Sequence, residues 1–127
     1  MPTPIKVLVV DDEDEFRNNM VKLLHMQDNI EAEGAESGEV AVTMAGEREY
    51  DVILLDVKMP GLTAMGTMER LKEMNCPAEV VILTGHASVD DAVQLMNLGA
   101  YDYMLKPCST RDIVKKIAWA VENKVVS

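Results

Sequence analysis

The sequence predicts an α/β fold: one domain built on a five-stranded parallel sheet with helices on both faces. Short apolar runs alternate five times with segments of helical periodicity, which is the pattern of repeated βα units. Three of the runs are continuous stretches of β-branched residues or leucine, as expected for parallel strands that are buried on both faces. The length of 127 residues suits a single hydrophobic core.

The five predicted strands are the apolar runs that precede each helical segment. They span residues 5–10, 30–35, 52–55, 80–83 and 103–105. No linker rich in Ser, Gly or Pro and no low-complexity tract interrupts the alternation. The prediction is therefore one domain over residues 1–127, with its core at about 5–123 and with 122–127 as a tail or the start of a linker.

Each segment between the strands carries one apolar stripe at helical spacing. The stripes are Phe16, Met20, Leu23 and Leu24 in the first helix, Val40, Ala41 and Met44 in the second, Met65, Met68 and Leu71 in the third, Ala92, Val93 and Met96 in the fourth, and Ile113, Val114, Ile117, Ala118 and Val121 in the fifth. Helix starts are predicted at Asp12, Ser88 and Ser109, because each precedes an acidic residue by three positions. Turns are predicted at Gly34, Gly61 and Gly99.

Composition excludes several classes of protein. Twelve Lys and Arg against 22 Asp and Glu give a net charge of −10, which disfavours direct nucleic-acid binding. The longest apolar runs have four or five residues, too few for a membrane span or a signal-peptide core. A cytoplasmic location and reduced thiols at Cys76 and Cys108 are the resulting expectations.

Polar side chains follow four of the five predicted strands. Asp11 and Asp12 follow the first strand, Asp56 the third, Thr84 the fourth and Lys106 the fifth. Ligand sites of open parallel sheets lie beyond the carboxyl ends of the strands. We therefore expect three carboxylates, one hydroxyl and one ammonium to meet at one edge of the sheet.

This set of side chains favours phosphoryl chemistry with a divalent cation. Carboxylates about 5 Å apart repel by roughly 3 kcal/mol per ionised pair at an effective dielectric constant near 20, so a cation is needed to offset the repulsion. Oxygen ligands without His or Cys suit Mg²⁺. Lys106 and Thr84 are suited to hold phosphoryl oxygens.

Taken singly, these residues have ordinary structural explanations. The acidic run at 11–15 is typical of a solvated helix start. Asp56 alone suits a cap or a loop, and Thr84 or Lys106 alone suits an exposed strand end. Their joint placement at one edge is what favours a functional site.

Four blocks of sequence, in order and spacing, resemble the receiver domain of two-component response regulators, a CheY-like family. They are VLVVDDE at 7–13, DVILLDVKMPG at 51–61, VILTGHAS at 81–88 and GAYDYMLKP at 99–107. The resemblance runs from about residue 6 to residue 123. It implies a doubly wound, flavodoxin-like sheet of strand order 2-1-3-4-5, with two helices on one face and three on the other.

The resemblance also assigns roles at the expected metal site. Asp56 looks like the phosphoacceptor and Asp12 like a direct Mg²⁺ ligand. Asp11 is similar to the partner acid that often acts through water, and the backbone carbonyl of Lys58 would complete the protein's share of the metal shell.

Further roles concern switching and timing. Thr84 resembles the switch hydroxyl, Lys106 the lysine that contacts the phosphoryl group, and Tyr103 the aromatic rotamer switch. Pro107 matches a proline preceded by a cis peptide bond. The variable positions two residues beyond Asp56 and Thr84, here Lys58 and His86, are expected to tune the lifetime of the phosphoryl group.

The function that the resemblance implies is acceptance of a phosphoryl group from a sensor histidine kinase or a histidine phosphotransfer protein. The chain would promote its own phosphorylation and dephosphorylation rather than act as an enzyme on a separate substrate. The readout surface would be the fourth helix, fifth strand and fifth helix, facing an output domain, a partner protein or a second copy in a phosphorylation-dependent homodimer. Neither direct nucleic-acid binding nor membrane association is expected.

Alternatives remain at this point. The chain would also fit the amino-terminal receiver of a longer transcriptional regulator or signalling enzyme. An aspartyl-phosphate phosphatase of the haloacid dehalogenase kind is less favoured, because it needs an acid two residues beyond its nucleophile and Lys58 stands there. A flavin or redox module on the same sheet is open, whereas a P-loop nucleotidase is excluded by the absence of GxxxxGK[ST].

Overall fold

The computed structural model describes residues 3–57, 63–85 and 89–126. Strands and helices alternate along the chain. Their bounds are β1 (Ile5–Val10), α1 (Asp14–His25), β2 (Ile30–Ala35), α2 (Gly38–Glu47), β3 (Val52–Leu55), α3 (Ala64–Glu73), β4 (Glu79–Thr84), α4 (Val89–Asn97), β5 (Asp102–Leu105) and α5 (Thr110–Val126). The predicted bounds of β1, β2 and β3 are confirmed, while β4 is one residue longer at each end and β5 begins one residue earlier.

The strands form one parallel sheet in the order β2-β1-β3-β4-β5. The expected order is confirmed. The order in which successive strands are added reverses between β1 and β3, so their carboxyl ends flank the topological switch point where ligands bind in this architecture. No helix in the described part of the chain is long and apolar enough to cross a membrane.

Alternate residues of the central strands fill two separate cores. Leu8, Ile53 and Ile82 belong to the core that also contains buried residues of α2, α3 and α4. Val9 and Leu54 belong to the other core, with buried residues of α1 and α5. The expected division into three helices on one face and two on the other is therefore confirmed, and burial on both faces explains the continuous apolar runs.

The predicted helix starts had mixed outcomes. The Oγ of Ser109 accepts a hydrogen bond from the backbone N–H of Asp112 at 3.1 Å, which confirms the start of α5. Asp12 does not begin a helix, because the N-cap of α1 is Glu13. Two helix starts that the sequence pattern missed are capped by Ser37 and Thr63. Ser88 lies outside the described residues.

The apolar stripe predicted for α4 is only partly correct. Ala92 and Leu95 are buried, whereas Val93 and Met96 are exposed. The apolar residues of this helix lie on two faces. Only the face that carries Ala92 and Leu95, which are three residues apart, is buried. Two exposed apolar side chains are thus left on the outer surface of α4.

The turn predicted at Gly34 is wrong. Gly34 lies inside β2, where it pairs with Val9. The turn at Gly99 is confirmed by a φ of +108°, a conformation that side chains other than glycine rarely adopt. Gly61 lies outside the described residues.

Candidate functional site

The site lies at the carboxyl ends of β1 and β3, where backbone hydrogen bonds extend the sheet past the strands. The backbone N–H of Asp11 donates to the carbonyl of Ala35 at 3.1 Å, and the N–H of Asp56 donates to the carbonyl of Val10 at 3.1 Å. These bonds fix the main chain of both acids. Their carboxylates therefore start from positions set by the sheet rather than by a free loop.

Three carboxylates form one cluster, as expected from the strand ends. Ligand oxygens of Asp11, Asp12 and Asp56 all lie within 4.8 Å of one another. Asp11 is 1% exposed and Asp56 4% exposed, whereas Asp12 faces solvent. Burial reduces the screening of charge by water, so the two inner acids need a cation close by.

Lys106 supplies positive charge inside this cluster. Its Nζ lies 2.7 Å from Oδ2 of Asp11 and 3.7 Å from Oδ2 of Asp56. The backbone N–H of Lys106 donates to the carbonyl of Thr84 at 2.9 Å, which places the lysine at the end of β5. Three carboxylates and one ammonium leave a formal charge of −2.

The aromatic ring of Phe16 also contacts the ammonium group of Lys106. The Nζ lies 3.8 Å from the centroid of the ring, within the range of a cation–π interaction. Phe16 belongs to α1, and its predicted role was only to fill the apolar stripe. Phe16 and Lys106 are 90 positions apart in the sequence, and no local pattern links them. This cation–π contact was therefore missed from the sequence alone.

The peptide bond between Lys106 and Pro107 is cis. This geometry is the one that the resemblance implies for Pro107. Cys108 follows, and burial raises the pKa of its thiol, with a smaller contribution from the charge of Asp112. The protonated thiol is therefore favoured over the thiolate near neutral pH.

Thr84 and Tyr103 lie on neighbouring strands and share one side of the sheet. Thr84 is fully buried and pairs in register with Leu105, while Tyr103 pairs with Ile82. Paired residues of parallel strands point to the same face, and so do residues two apart on one strand. Tyr103 as a whole residue is 43% exposed, so it lies at the surface on the side to which Thr84 belongs.

Two site residues expected from the sequence, Lys58 and His86, lie outside the described residues. In the sequence they come shortly after β3 and β4, strands whose ends are described. Their expected roles, in metal coordination and in the lifetime of the phosphoryl group, stay predictions.

The cluster fits Mg²⁺ by the chemistry of its donors. All three side chains offer carboxylate oxygens, and the group contains neither His nor Cys, as a hard cation requires. The formal charge of −2 that remains beside Lys106 matches a divalent ion.

Known proteins resemble the chain over most of its length. A family model described as the response regulator receiver domain matches residues 7–118. The nitrate/nitrite response regulator protein NarL of Escherichia coli K12 is 29% identical over 124 residues, which are 97% of this chain and 57% of NarL. The transcriptional regulatory protein ResD of Bacillus subtilis is 32% identical over 112 residues, which are 88% of this chain and 46% of ResD.

Solved structures agree. A response regulator receiver domain protein from Clostridium thermocellum superposes with a TM-score of 0.88 at 33% identity, covering 96% of this chain and 98% of that one. The signal receiver domain of the putative response regulator NarL from Mycobacterium tuberculosis gives a TM-score of 0.89 at 26% identity, covering 95% of this chain and 98% of that one.

The chain spans about half the length of the curated relatives NarL and ResD. The match therefore describes one part of those proteins. Within that part, the family model, the sheet order and the acidic cluster agree. The chain belongs to the response regulator receiver domain family.

Proposed function

We propose that this receiver domain accepts a phosphoryl group on the carboxylate of Asp56. The observation that carries the proposal is the environment of this acid: it is buried at the switch point of the sheet, with two further carboxylates within 4.8 Å and the Lys106 ammonium at 3.7 Å. A buried carboxylate beside a cation is suited to act as a nucleophile towards a phosphoryl group.

The donor that we propose is a phosphohistidine of a sensor histidine kinase or of a histidine phosphotransfer protein. Receiver domains of response regulators interact with histidine kinases and output domains. In the transfer, a carboxylate oxygen of Asp56 forms a bond to phosphorus while the bond from phosphorus to the imidazole nitrogen breaks. The imidazole keeps the electron pair of that bond and takes a proton from solvent.

The residues of the chain contribute by positioning and by charge. Lys106 lies close enough to Asp56 to contact a phosphoryl oxygen once the group is attached. Asp11, Asp12 and Asp56 would hold Mg²⁺, together with the backbone carbonyl of Lys58. When bound, Mg²⁺ neutralises charge on the phosphoryl oxygens.

The same residues support turnover of the chain's own phosphoryl group. Receiver domains are not classical enzymes, and the proposal is limited to promotion of autophosphorylation by small donors and of autodephosphorylation. Lys58 and His86 are proposed to set the lifetime, because they stand two residues beyond Asp56 and Thr84.

We also propose that phosphorylation is read through α4, β5 and α5. Tyr103 is partly exposed on the side of the sheet to which Thr84 belongs. Movement of the Thr84 hydroxyl towards the phosphoryl group would leave room for the ring to turn inward. Leu105 and Trp119 are 55% and 52% exposed, and their side chains offer apolar contacts on β5 and α5.

The proposed occupant of this surface is an output domain, a partner protein or, after phosphorylation, a second copy of the chain. Because only about half of NarL or ResD is matched, we leave the output itself unassigned. We further propose that the domain extends over residues 1–127, with its core at about 5–123. We also propose that it acts in the cytoplasm and makes no direct contact with nucleic acid or membrane.

The test uses a small phosphodonor and Mg²⁺ without a kinase. We expect the wild-type chain to take up one phosphoryl group that hydroxylamine releases, and we expect Asp56→Asn to take up none. Asp51→Asn is the matched control, because Asp51 is an acid at the other end of β3 that contacts the backbone N–H of Lys6. Equal uptake by wild type and Asp56→Asn would contradict the proposal.

A further inference from the structure

Arg17 is an arginine of the first turn of α1 whose side chain is only 13% exposed. Its Nη1 donates to the backbone carbonyl of Asp11 at 2.8 Å, and its Nη2 donates to Oδ1 of Asp14 at 2.6 Å. Asp14 itself is mostly solvent-exposed, so an ion pair with it does not explain the burial of Arg17. The hydrogen bond to the carbonyl of Asp11 explains this burial, because it directs the guanidinium group towards the end of β1.

Gly34 explains how this side chain fits between α1 and the sheet. A Cβ placed on Gly34 would lie 3.0 Å from Cδ and 3.1 Å from Cγ of Arg17, closer than real Cβ contacts usually are. The aliphatic stem of Arg17 therefore lies directly across the backbone of β2. A glycine inside a strand weakens the strand and often marks the close approach of another group, and here that group is Arg17.

Every polar group of Asp11 has a partner. Its N–H donates to Ala35, its Oδ1 accepts from the N–H of Glu13 at 2.9 Å, and its Oδ2 accepts from Lys106 at 2.7 Å. The carbonyl is the remaining group, and Arg17 satisfies it. Without the guanidinium group, the peptide unit that joins Asp11 to Asp12 would lose this hydrogen bond and could rotate. The distance between the two carboxylates would then no longer be fixed.

We propose that Arg17 is a positioning residue for the acidic cluster and that Gly34 provides the slot in which it lies. The inference rests on the proposed function, since it assigns to Arg17 and Gly34 the task of holding Asp11 and Asp12 at the spacing that Mg²⁺ requires. Arg17 does not touch the metal or the phosphoryl group; it acts through the main chain of Asp11.

The experiment is a titration of the intact chain with MgCl₂ by calorimetry, with urea unfolding in EDTA measured in parallel. The variants are Arg17→Met, which keeps the stem and removes both donors, Arg17→Lys, which keeps the charge without the planar fork, and Gly34→Ala. Arg70→Met is the matched control, because Arg70 lies on the exposed surface of α3.

We expect Arg17→Met to weaken Mg²⁺ binding by roughly 10- to 100-fold, the loss typical for residues that orient metal ligands. Arg17→Lys should weaken it by nearly as much, because an ammonium group cannot donate to Asp11 and Asp14 in the same geometry. Gly34→Ala should weaken it as well, since the new methyl group displaces the stem of Arg17. The double variant Gly34→Ala with Arg17→Met should bind no more weakly than Arg17→Met alone.

The outcomes separate this inference from the proposed function. Wild-type Mg²⁺ affinity in all three single variants, whatever their stability, would overturn the inference and leave the proposed function standing. Fully additive effects in the double variant would overturn the role of Gly34. A wild-type chain that binds no Mg²⁺ would overturn both the inference and the metal-dependent part of the proposed function.

Discussion

Substitution of the exposed acid of the cluster, Asp12→Ala, should stabilise the metal-free protein although it shortens a side chain. Asp12 forms two pairs with the other carboxylates, and the ligand oxygens of each pair lie within 4.8 Å. At that separation an ionised pair repels by about 3.5 kcal/mol at an effective dielectric constant of 20 and by about 0.9 kcal/mol in bulk water. Because Asp12 faces solvent, the lower value applies more closely, and two pairs give roughly 2 kcal/mol.

Opposing effects reduce this figure. Asp12 precedes the start of α1, where negative charge is favourable by about 0.3–1 kcal/mol. The attraction between Asp12 and the Lys106 ammonium is lost as well. We therefore expect a net stabilisation of about 1 kcal/mol for Asp12→Ala in EDTA.

The assay is urea unfolding with EDTA and with MgCl₂. Wild type should gain about 1.4 kcal/mol at a Mg²⁺ concentration ten times its dissociation constant, and Asp12→Ala should gain much less. Glu15→Ala is the control, because Glu15 is an exposed acid in the first turn of α1 outside the cluster. If Asp12→Ala is destabilised in EDTA to the same extent as Glu15→Ala, or if Mg²⁺ stabilises it as much as wild type, the electrostatic argument is wrong.

Three other predictions follow from the same contacts. Lys106→Met should destabilise the metal-free chain by about 3–5 kcal/mol, because it leaves buried carboxylates without their cation; urea unfolding that differs from wild type by less than 1 kcal/mol would contradict this. Burial and the hydrogen bond to Glu33 raise the pKa of Tyr50 from 10.0 to about 12, so stability is fully present below pH 10 and is lost as the pH rises towards 12. That loss amounts to at most about 2.7 kcal/mol and should be absent from Tyr50→Phe when unfolding is measured at about pH 9 and about pH 11.5. Substitutions Lys58→Asn and His86→Glu should shorten the phosphoryl lifetime by supplying groups that orient water, and equal decay of wild type and both variants would refute that role.

The sequence predicted the site because sheet topology alone brings its residues together. Asp11, Asp56 and Lys106 each follow a strand of a parallel sheet, and the carboxyl ends of such strands share one edge. In the structure the Nζ of Lys106 lies 2.7 Å from Oδ2 of Asp11 and 3.7 Å from Oδ2 of Asp56, which agrees with that reasoning. The continuous apolar runs at 7–10, 52–55 and 80–83 placed the ends of β1 and β3 correctly and the end of β4 to within one residue.

Features that depend on packing between distant segments were not predictable. The sequence predicted a turn at Gly34. It gave no indication that the side chain of Arg17 packs across this glycine. Asp12 has the spacing of a helix cap, yet its position in the acidic cluster places it before the N-cap, Glu13. Val93 lies in α4, which has apolar residues on two faces. The sequence does not show which of these faces packs against the sheet, and Val93 is on the exposed one.

The most direct test of the account is identification of the phosphorylated residue. The chain is incubated with a small phosphodonor and MgCl₂, reduced with borohydride to convert an acyl phosphate into a stable alcohol, digested and mapped by mass spectrometry. The account predicts a single reduced position, Asp56, and none in EDTA. Modification at Asp11 or Asp12 instead, or a phosphate that resists hydroxylamine and lies on Ser, Thr or Tyr, would contradict it.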